Sequence, residues 1–357
     1  MSEYQYYEFL AIDRQLTSEE MSALRALSTR ANITAVSFTN EYHWGDFKGN
    51  PDDLMKRFFD AHVYVANWMT AIFKVRVPIE TISEKMAEAM AVRHTLDFKA
   101  TKTHWVITWS LSESEDYDRF GMEDGRGWMA RLVPVRDELL RGDFRSLYIG
   151  WLAAVTGEIV DDDEVEPVPA EGLVSLTAAQ QALAKFLDVD DDLMSGAGMG
   201  CPVLQDEASS EKEMDEWLGG LPGDDVISLL KLLLAGAGQQ AERTIKNRFA
   251  AWRRGLRNDR PEAPRRTVEE LRKNAEAAEK IRVEKEKREE ERREAKRAKN
   301  ERHILRSCPM IFPRSGRLSN RTSNGDWVRL MRRPAAPFVI SLRPTRSMRA
   351  GWPSNKR

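Results

Sequence analysis

The N-terminal region alternates between strand-like and helix-like hydrophobic periods. Tyr4–Ile12 (YQYYEFLAI) is aromatic-rich and predicts a strand that stops at Asp13. Thr17-Ser-Glu-Glu20 has the spacing of a capping box, in which Thr17 and Glu20 satisfy each other's backbone amides. The helix that follows aligns Met21, Leu24 and Leu27. Residues 33–42 (ITAVSFTNEY) alternate as a second strand, and a polar loop, HWGDFKGNPDD, leads to Pro51 at a helix start. Leu54, Phe58 and Phe59 carry a helical period to about Val65, which puts His62 on that helix. Trp68–Pro78 reads as a third strand and 79–91 as a short helix. Thr95–Ala100 and Thr103–Leu111 read as two strands joined by a tight turn.

An acidic loop, Ser112–Gly127, precedes two helices, one ending near Arg141 and one starting after Asp143. In the second, Phe144, Leu147, Tyr148, Trp151, Leu152 and Val155 recur at i, i+3, i+4, i+7, i+8 and i+11, an amphipathic pattern. Strands and helices mixed in this way make residues 1–157 an α+β domain, with α/β as the alternative topology.

Residues 158–174 are acidic and proline-bearing and predict a linker. Residues 175–256 form a small helical region with segments at Ala178–Leu187, Glu211–Leu218, Asp225–Ala235 and Ala241–Arg254. The third of these has no polar face but Ser228 and Lys231, which predicts a helix buried against its neighbours. Ser195–Gly200 (SGAGMG) reads as a flexible connection.

Residues 265–302 lack Gly and Pro and predict one long charged helix that buries almost nothing. Glu269–Lys273, Glu276–Lys280, Glu284–Arg288 and Glu289–Arg293 are acid-to-base pairs at i, i+4, each contributing roughly 0.2–0.5 kcal/mol. A coiled coil is the rival. Leu271, Ala275, Ala278 and Ile281 begin such a seam, but beyond Val283 the candidate positions are Glu, Lys and Arg. The last segment, 303–357, is a basic, low-order tail with six Pro and no sustained periodicity.

Charge sharpens this division. Residues 303–357 carry +11 and residues 257–302 carry +4, so a net charge of -2 leaves residues 1–256 at -17. A body of that sign repels polyanions, so any nucleic-acid contact falls to the far end. The tail then has three readings: a basic arm that neutralises phosphates with steep salt dependence, a disordered terminus, or the product of a shifted reading frame. No apolar run approaches the roughly 20 residues of a membrane span. A secretory signal is not expected behind Met-Ser-Glu-Tyr. Two cysteines, Cys201 and Cys308, fit neither a disulfide framework nor a four-Cys zinc site, and point to a cytoplasmic location.

Candidate chemistry is sparse. His43, Trp44 and Asp46, with Glu41, Asp52 and Asp53 nearby, form the densest polar-aromatic cluster. A His and an Asp on one loop could act as a base and its orienting partner, while Asn50-Pro51-Asp52-Asp53 is explained equally by capping. Asp188–Asp192 begins like a calcium loop but has Leu193 where Gly is needed and Met199 where Glu is needed, so helix capping accounts for it better. Gly196–Gly200 follows no strand and precedes no Lys-Ser/Thr pair, against a phosphate loop. No pair of histidines has metal-ligand spacing, and no cofactor or metal is expected.

On YQYYEFLAIDRQLTSEEMSALRALS and YHWGDFKGNPDDLMKRFFDAHVYVANW the chain resembles an uncharacterised bacterial protein family, over most of residues 1–300 and including GDFRSLYIGWL and the charged helix. The resemblance implies no activity, cofactor or catalytic residue. It implies a charged helix that continues into further helix, a pattern from which this chain departs at about 301–305, favouring the shifted-frame reading over a binding arm. The leading expectation is a cytoplasmic interaction or assembly protein whose charged helix meets a protein partner. The alternatives are a nucleic-acid-associated protein using the basic end and an enzyme centred on His43 and Asp46.

Overall fold

The aromatic and β-branched runs of the N-terminal region pair into one seven-stranded antiparallel sheet in the computed structural model of the chain. Its strands are β1 (Gln5–Leu10), β2 (Asn32–Ile33), β3 (Ser37–Tyr42), β4 (Ala61–Ala66), β5 (Thr70–Pro78), β6 (Leu96–Ala100) and β7 (His104–Leu111), in the order β2-β3-β1-β4-β5-β7-β6. The helices are α1 (Ser18–Leu27), α2 (Pro51–Arg57), α3 (Glu84–Met90), α4 (Trp128–Leu132), α5 (Pro134–Leu140), α6 (Arg145–Thr156), α7 (Ala178–Phe186), α8 (Asp191–Gly198), α9 (Glu211–Gly219), α10 (Gly223–Leu234), α11 (Gly238–Arg257) and α12 (Val268–Ser307). The structure describes residues 4–112, 125–168, 171–201, 211–236, 238–257 and 265–307. Two units are distinguished, Met1–Arg293 and Glu294–Arg357, and the described part of the second, 294–307, is helical. An antiparallel sheet with helices gathered after it makes the fold α+β.

Side chains alternate across a strand, so each strand contributes to two different cores. On one face Val63, Val65, Phe73, Val75, Ile107 and Trp109 are buried under α3 to α8 and the start of α12. Helix α6 lies at the centre of that layer, and every residue from Arg145 to Val155 is buried. The sequence periodicity had suggested an amphipathic helix here. With sheet on one side and α3, α7 and α8 on others, no face of α6 is left for solvent. Gly150 lets it approach the sheet, since a Cβ there would lie 2.6 Å from the Trp109 ring. On the opposite face Phe9, Phe38, Phe47, Phe59, Leu24 and Met55 form a second core under α1 and α2.

A buried charge cluster joins the two layers. Asp60 is fully buried; its Oδ1 accepts from Arg76 Nε and Nη2 at 3.0 and 2.6 Å, and its Oδ2 from the Ile12 and Asp13 amides at 2.7 and 2.9 Å. Arg136, on α5, donates to the Arg76 carbonyl and to Asp13 at 2.7 Å each. Burial alone would raise the Asp60 carboxyl, but Arg76, Arg136 and the two amides outweigh it and hold the group below its usual range.

Several local expectations are corrected. The helix from Pro51 ends at Arg57, and residues 61–66, including His62, form the central strand β4. Residues 33–42 are broken into β2 and β3. Ser195–Gly200 is not a flexible link through its first part, because Gly196 and Gly198 belong to α8, which Asp190 caps. The segment read as a linker is tied into the core through buried Val160, Glu166 and Leu173. The acidic loop after Ser112 lies largely outside the described residues.

The charged helix α12 is also more than a solvated rod. Thr267 and Glu270 form a capping box at its start, with Thr267 N to Glu270 Oε2 at 3.0 Å and Glu270 N to Thr267 Oγ1 at 3.2 Å. Val268 and Leu271 are fully buried and Ala278 nearly so. Just before the helix, Arg266 donates to both oxygens of buried Glu166 at 3.1 Å, and Tyr148 donates to the same carboxylate at 2.6 Å. Farther along, Arg282 grips Asp192 of α8 through two bonds of 2.7 and 2.8 Å. From Val283 to Asn300 every side chain is exposed. The Glu269–Lys273 and Glu284–Arg288 pairs form as the spacing predicts.

Candidate functional site

Strand register assembles a polar cleft on the α2 side of the sheet. Tyr7 of β1 faces Tyr64 of β4, which faces Ile72 of β5; in the next row Phe9, His62 and Lys74 are partners in the same order. Directly opposed side chains lie about 4.5–5.5 Å apart at Cβ, so the two rows make a continuous floor. Asn50, Pro51 and Asp52 at the start of α2 form the roof, enclosing about 260 Å³. Asn50 caps α2 by accepting from the Asp52 and Asp53 amides at 2.9 and 3.4 Å, which fixes the roof in place.

The imidazole of His62 is buried and stacks on Phe9 with ring centres 3.9 Å apart. Its Nδ1 lies 3.0 Å from the Glu8 carbonyl oxygen. A carbonyl only accepts, so Nδ1 carries the proton and Nε2 of the neutral ring keeps its lone pair. Burial pushes the His62 pKa down to about 3, so the ring is neutral throughout the physiological range. Such a ring accepts a hydrogen bond well but takes up a proton weakly.

Charge in the cleft is paired. Asp52 accepts from Lys74 through Oδ1 and from Lys99 through Oδ2, the latter at 2.7 Å. Burial would raise the Asp52 carboxyl, but the two ammonium groups bring it down to about 2. Tyr7 Oη donates to Gln5 Oε1 at 2.8 Å and Tyr64 Oη at 3.3 Å. Burial pushes the Tyr64 phenol up to about 12 and raises Tyr7 as well, so both remain protonated. The cleft thus presents neutral rings, one bare imidazole acceptor and the spare N–H groups of Lys74.

Of the residues singled out from the sequence, Asp52 lines this cleft and His43, Trp44 and Asp46 do not. Gly45, at a φ of +76°, turns the loop and leaves Trp44 77% exposed. The His43 ring sits 5.6 Å from that of Tyr4. Asp46 Oδ1 accepts from Gln5 Nε2 at 3.0 Å, and Gln5 is the same side chain that receives Tyr7 and Tyr64. The loop is therefore linked to the cleft through one amide. Glu41 pairs with Arg126 at 2.7 Å and Asp53 approaches Lys56 at 3.9 Å, so the acidic residues near His43 serve separate contacts. Sequence reasoning missed Tyr7, His62, Tyr64 and Lys74 as a group. Their signal was the alternation of Ala-His-Val-Tyr-Val-Ala, which puts His62 and Tyr64 on one face of a strand.

No protein-family model, curated protein or solved structure matches the chain.

A second surface feature lies on α9–α11. Trp217, Phe249 and Trp252 pack together with ring centres 5.3 and 5.9 Å apart, and Arg253 reaches Glu213 at 3.1 Å. Of the apolar residues on α10, Leu229 is buried. Val226, Ile227, Leu230, Leu233 and Leu234 are exposed, Leu234 by 89%. This corrects the expectation of a buried helix: α10 meets α11 on one side and leaves a stripe at i, i+1, i+4, i+7 and i+8 open. Among the described residues no helix is long and apolar enough to cross a membrane, and no cluster of His, Cys, Asp or Glu suits a metal ion. Of the segment read as a basic, low-order tail, 303–357, residues 303–307 instead continue α12 to Ser307; the rest, and with it the frame-shift reading, lies outside the described residues.

Proposed function

We propose that the protein is an interaction or assembly protein of the bacterial cytoplasm, docking a protein partner on the apolar stripe of α10 and on the exposed part of the charged helix. The observation that carries this reading is the stripe itself. Contiguous exposed apolar side chains are held down on monomeric surfaces because water penalises them, and a larger cluster marks a contact site. Here the five lie on one helix flanked by Asp224, Asp225 and Lys231, a charged rim around an apolar centre. The exposed part of α12 adds alternating charges, which favour orientation and partner choice over affinity.

Burying Leu234 alone contributes up to about 2 kcal/mol, roughly 30-fold in Kd. Leu230→Asp with Leu234→Asp removes that contact and places charge in its path. Both positions are exposed, so the fold stability should stay within about 0.5 kcal/mol of the parent. Affinity purification from bacterial cells expressing parent and variant, with quantification of co-purifying chains, tests the reading. The expected result is a stoichiometric partner, or a second copy, depleted at least tenfold in the variant. An identical set of chains at identical ratios overturns it.

A further inference from the structure

The cleft over β1, β4 and β5 has a composition that selects a particular kind of molecule. We propose that it binds a small, flat, neutral nitrogen heterocycle that carries an N–H donor beside a carbonyl acceptor, the N–H bonding to His62 Nε2 and the carbonyl to Lys74 Nζ.

Four observations lead there. The volume, about 260 Å³, exceeds the roughly 150 Å³ that accommodates benzene in a protein core and so fits one or two fused rings. The ring faces that line it are apolar: Tyr7 and Tyr64, cross-strand partners with ring centres 4.7 Å apart and planes tilted by 51°, share the floor with Ile72, and Pro51 faces them from the roof. The polar groups at the floor are adjacent and complementary. His62 offers an acceptor, because its only hydrogen bond among the described residues uses Nδ1, and Lys74, its direct partner across β4 and β5, offers donors. An ammonium has three N–H groups, and Asp52 takes one from Lys74.

The charge pairing excludes the other ligand classes. Asp52 answers the charge of Lys74, and Lys99, which shares Asp52, also lies 3.7 Å from Asp97, so two ammonium groups face two carboxylates: an anion gains little and a cation meets Lys74 directly. A purely apolar ring would leave the His62 acceptor without a partner after displacing water. A donor–acceptor edge satisfies both floor groups at once, as in a cyclic amide.

The probe is 2-pyridone, with N-methyl-2-pyridone and toluene as comparisons, titrated into the full chain labelled with 15N at histidine. Saturable binding of 2-pyridone is expected, with the 15N resonance of one imidazole Nε2 shifting along the same isotherm. N-methylation removes the donor and should weaken binding at least tenfold, and toluene should bind no better. That comparison needs no altered protein. His62→Phe, which preserves ring packing on Phe9, should abolish the preference for 2-pyridone over its N-methyl form. Lys74→Met should weaken 2-pyridone several-fold while leaving toluene unchanged. Absence of saturable binding at millimolar probe, equal binding of the two pyridones, or an unchanged preference in the His62 variant each overturns the proposal.

Discussion

Replacing Gly196 by Ala sets two opposing effects on one residue of α8. Helix propensity favours Ala over Gly by about 0.5–1 kcal/mol. Against it stands the approach of α12: a Cβ at position 196 would lie 2.5 Å from Ala275 N, 2.7 Å from Asn274 C and 2.8 Å from Ala275 Cα. These are backbone atoms in a helix and cannot rotate away. Restoring an ordinary carbon contact of roughly 3.5 Å requires the helices to separate by about 1 Å. Overpacking of this kind costs about 1–3 kcal/mol, so the net effect is a loss of about 1–2 kcal/mol. For a body of this size that lowers Tm by roughly 2–8 °C. Gly198→Ala supplies the control in the same helix, where the nearest atom to the added Cβ is Val174 Cγ2 at 3.7 Å, an ordinary contact. It should be neutral or slightly stabilising. Thermal unfolding gives the two shifts, and hydrogen exchange over residues 268–282 locates the cause, with faster exchange expected only for Gly196→Ala. A Gly196→Ala protein as stable as its parent, with unchanged exchange there, would refute the docking of α12 on α8.

Two further perturbations probe the core. His62 is neutral in the fold, with its pKa pushed to about 3, while the unfolded chain protonates it near 6.5. The unfolded state therefore binds the extra proton as pH falls, and stability is lost at about 1.4 kcal/mol per unit below pH 6.5. Denaturant unfolding at pH 6.5 and 5.0 should show the parent losing roughly 2 kcal/mol more than His62→Phe; equal losses would contradict the buried, neutral imidazole. The Asp52 and Asp60 contributions, whose carboxyls are held below the usual range, are present above about pH 4 and are lost only at lower pH, outside that window. Glu166→Ala leaves Arg266 without its carboxylate in a partly buried site, which costs about 3–5 kcal/mol. Because Arg266 also reaches Cys201 Sγ at 3.8 Å, the loss should open that thiol. In a Cys308→Ser background, the rate of reaction of Cys201 with a disulfide reagent should rise at least tenfold; an unchanged rate contradicts the anchoring role of the pair.

How much of this was legible depends on the range of the interaction. Capping chemistry is local, and Thr17–Glu20, Asn50 and Asp190 were all readable from a few residues of sequence. Thr267–Glu270 carries the same signature and could have been read in the same way. The stretch Leu54–Val65 was misread because Leu54 and Phe58 satisfy a helical period while Ala61–Ala66 satisfies a strand period, with no Gly or Pro between them. The helix ends at Arg57, and three residues on, Asp60 is held by amides and an arginine from distant segments. Ser195–Gly200 read as a flexible connection because glycine is permissive in isolation, whereas Gly196 admits the backbone of α12, a contact almost 80 positions away. The cleft depends on register among β1, β4 and β5, so no single window contains Tyr7, His62 and Lys74 together. In α10 the leucines were visible but their exposure was not, since hydrophobicity signals a need for cover without saying which chain supplies it.

The interaction reading rests on α10, and Leu234, at 89% exposure, is its most accessible apolar side chain. A photo-crosslinking amino acid placed at position 234 of the full chain, with a second at exposed Lys102 in the β6–β7 turn as reference and irradiation in bacterial cells, tests it directly. A discrete cross-linked product from position 234, lost when Leu230 is changed to Asp, is the predicted result. Only diffuse products, or a product that persists with Leu230→Asp, would contradict the assignment of this face as the docking surface.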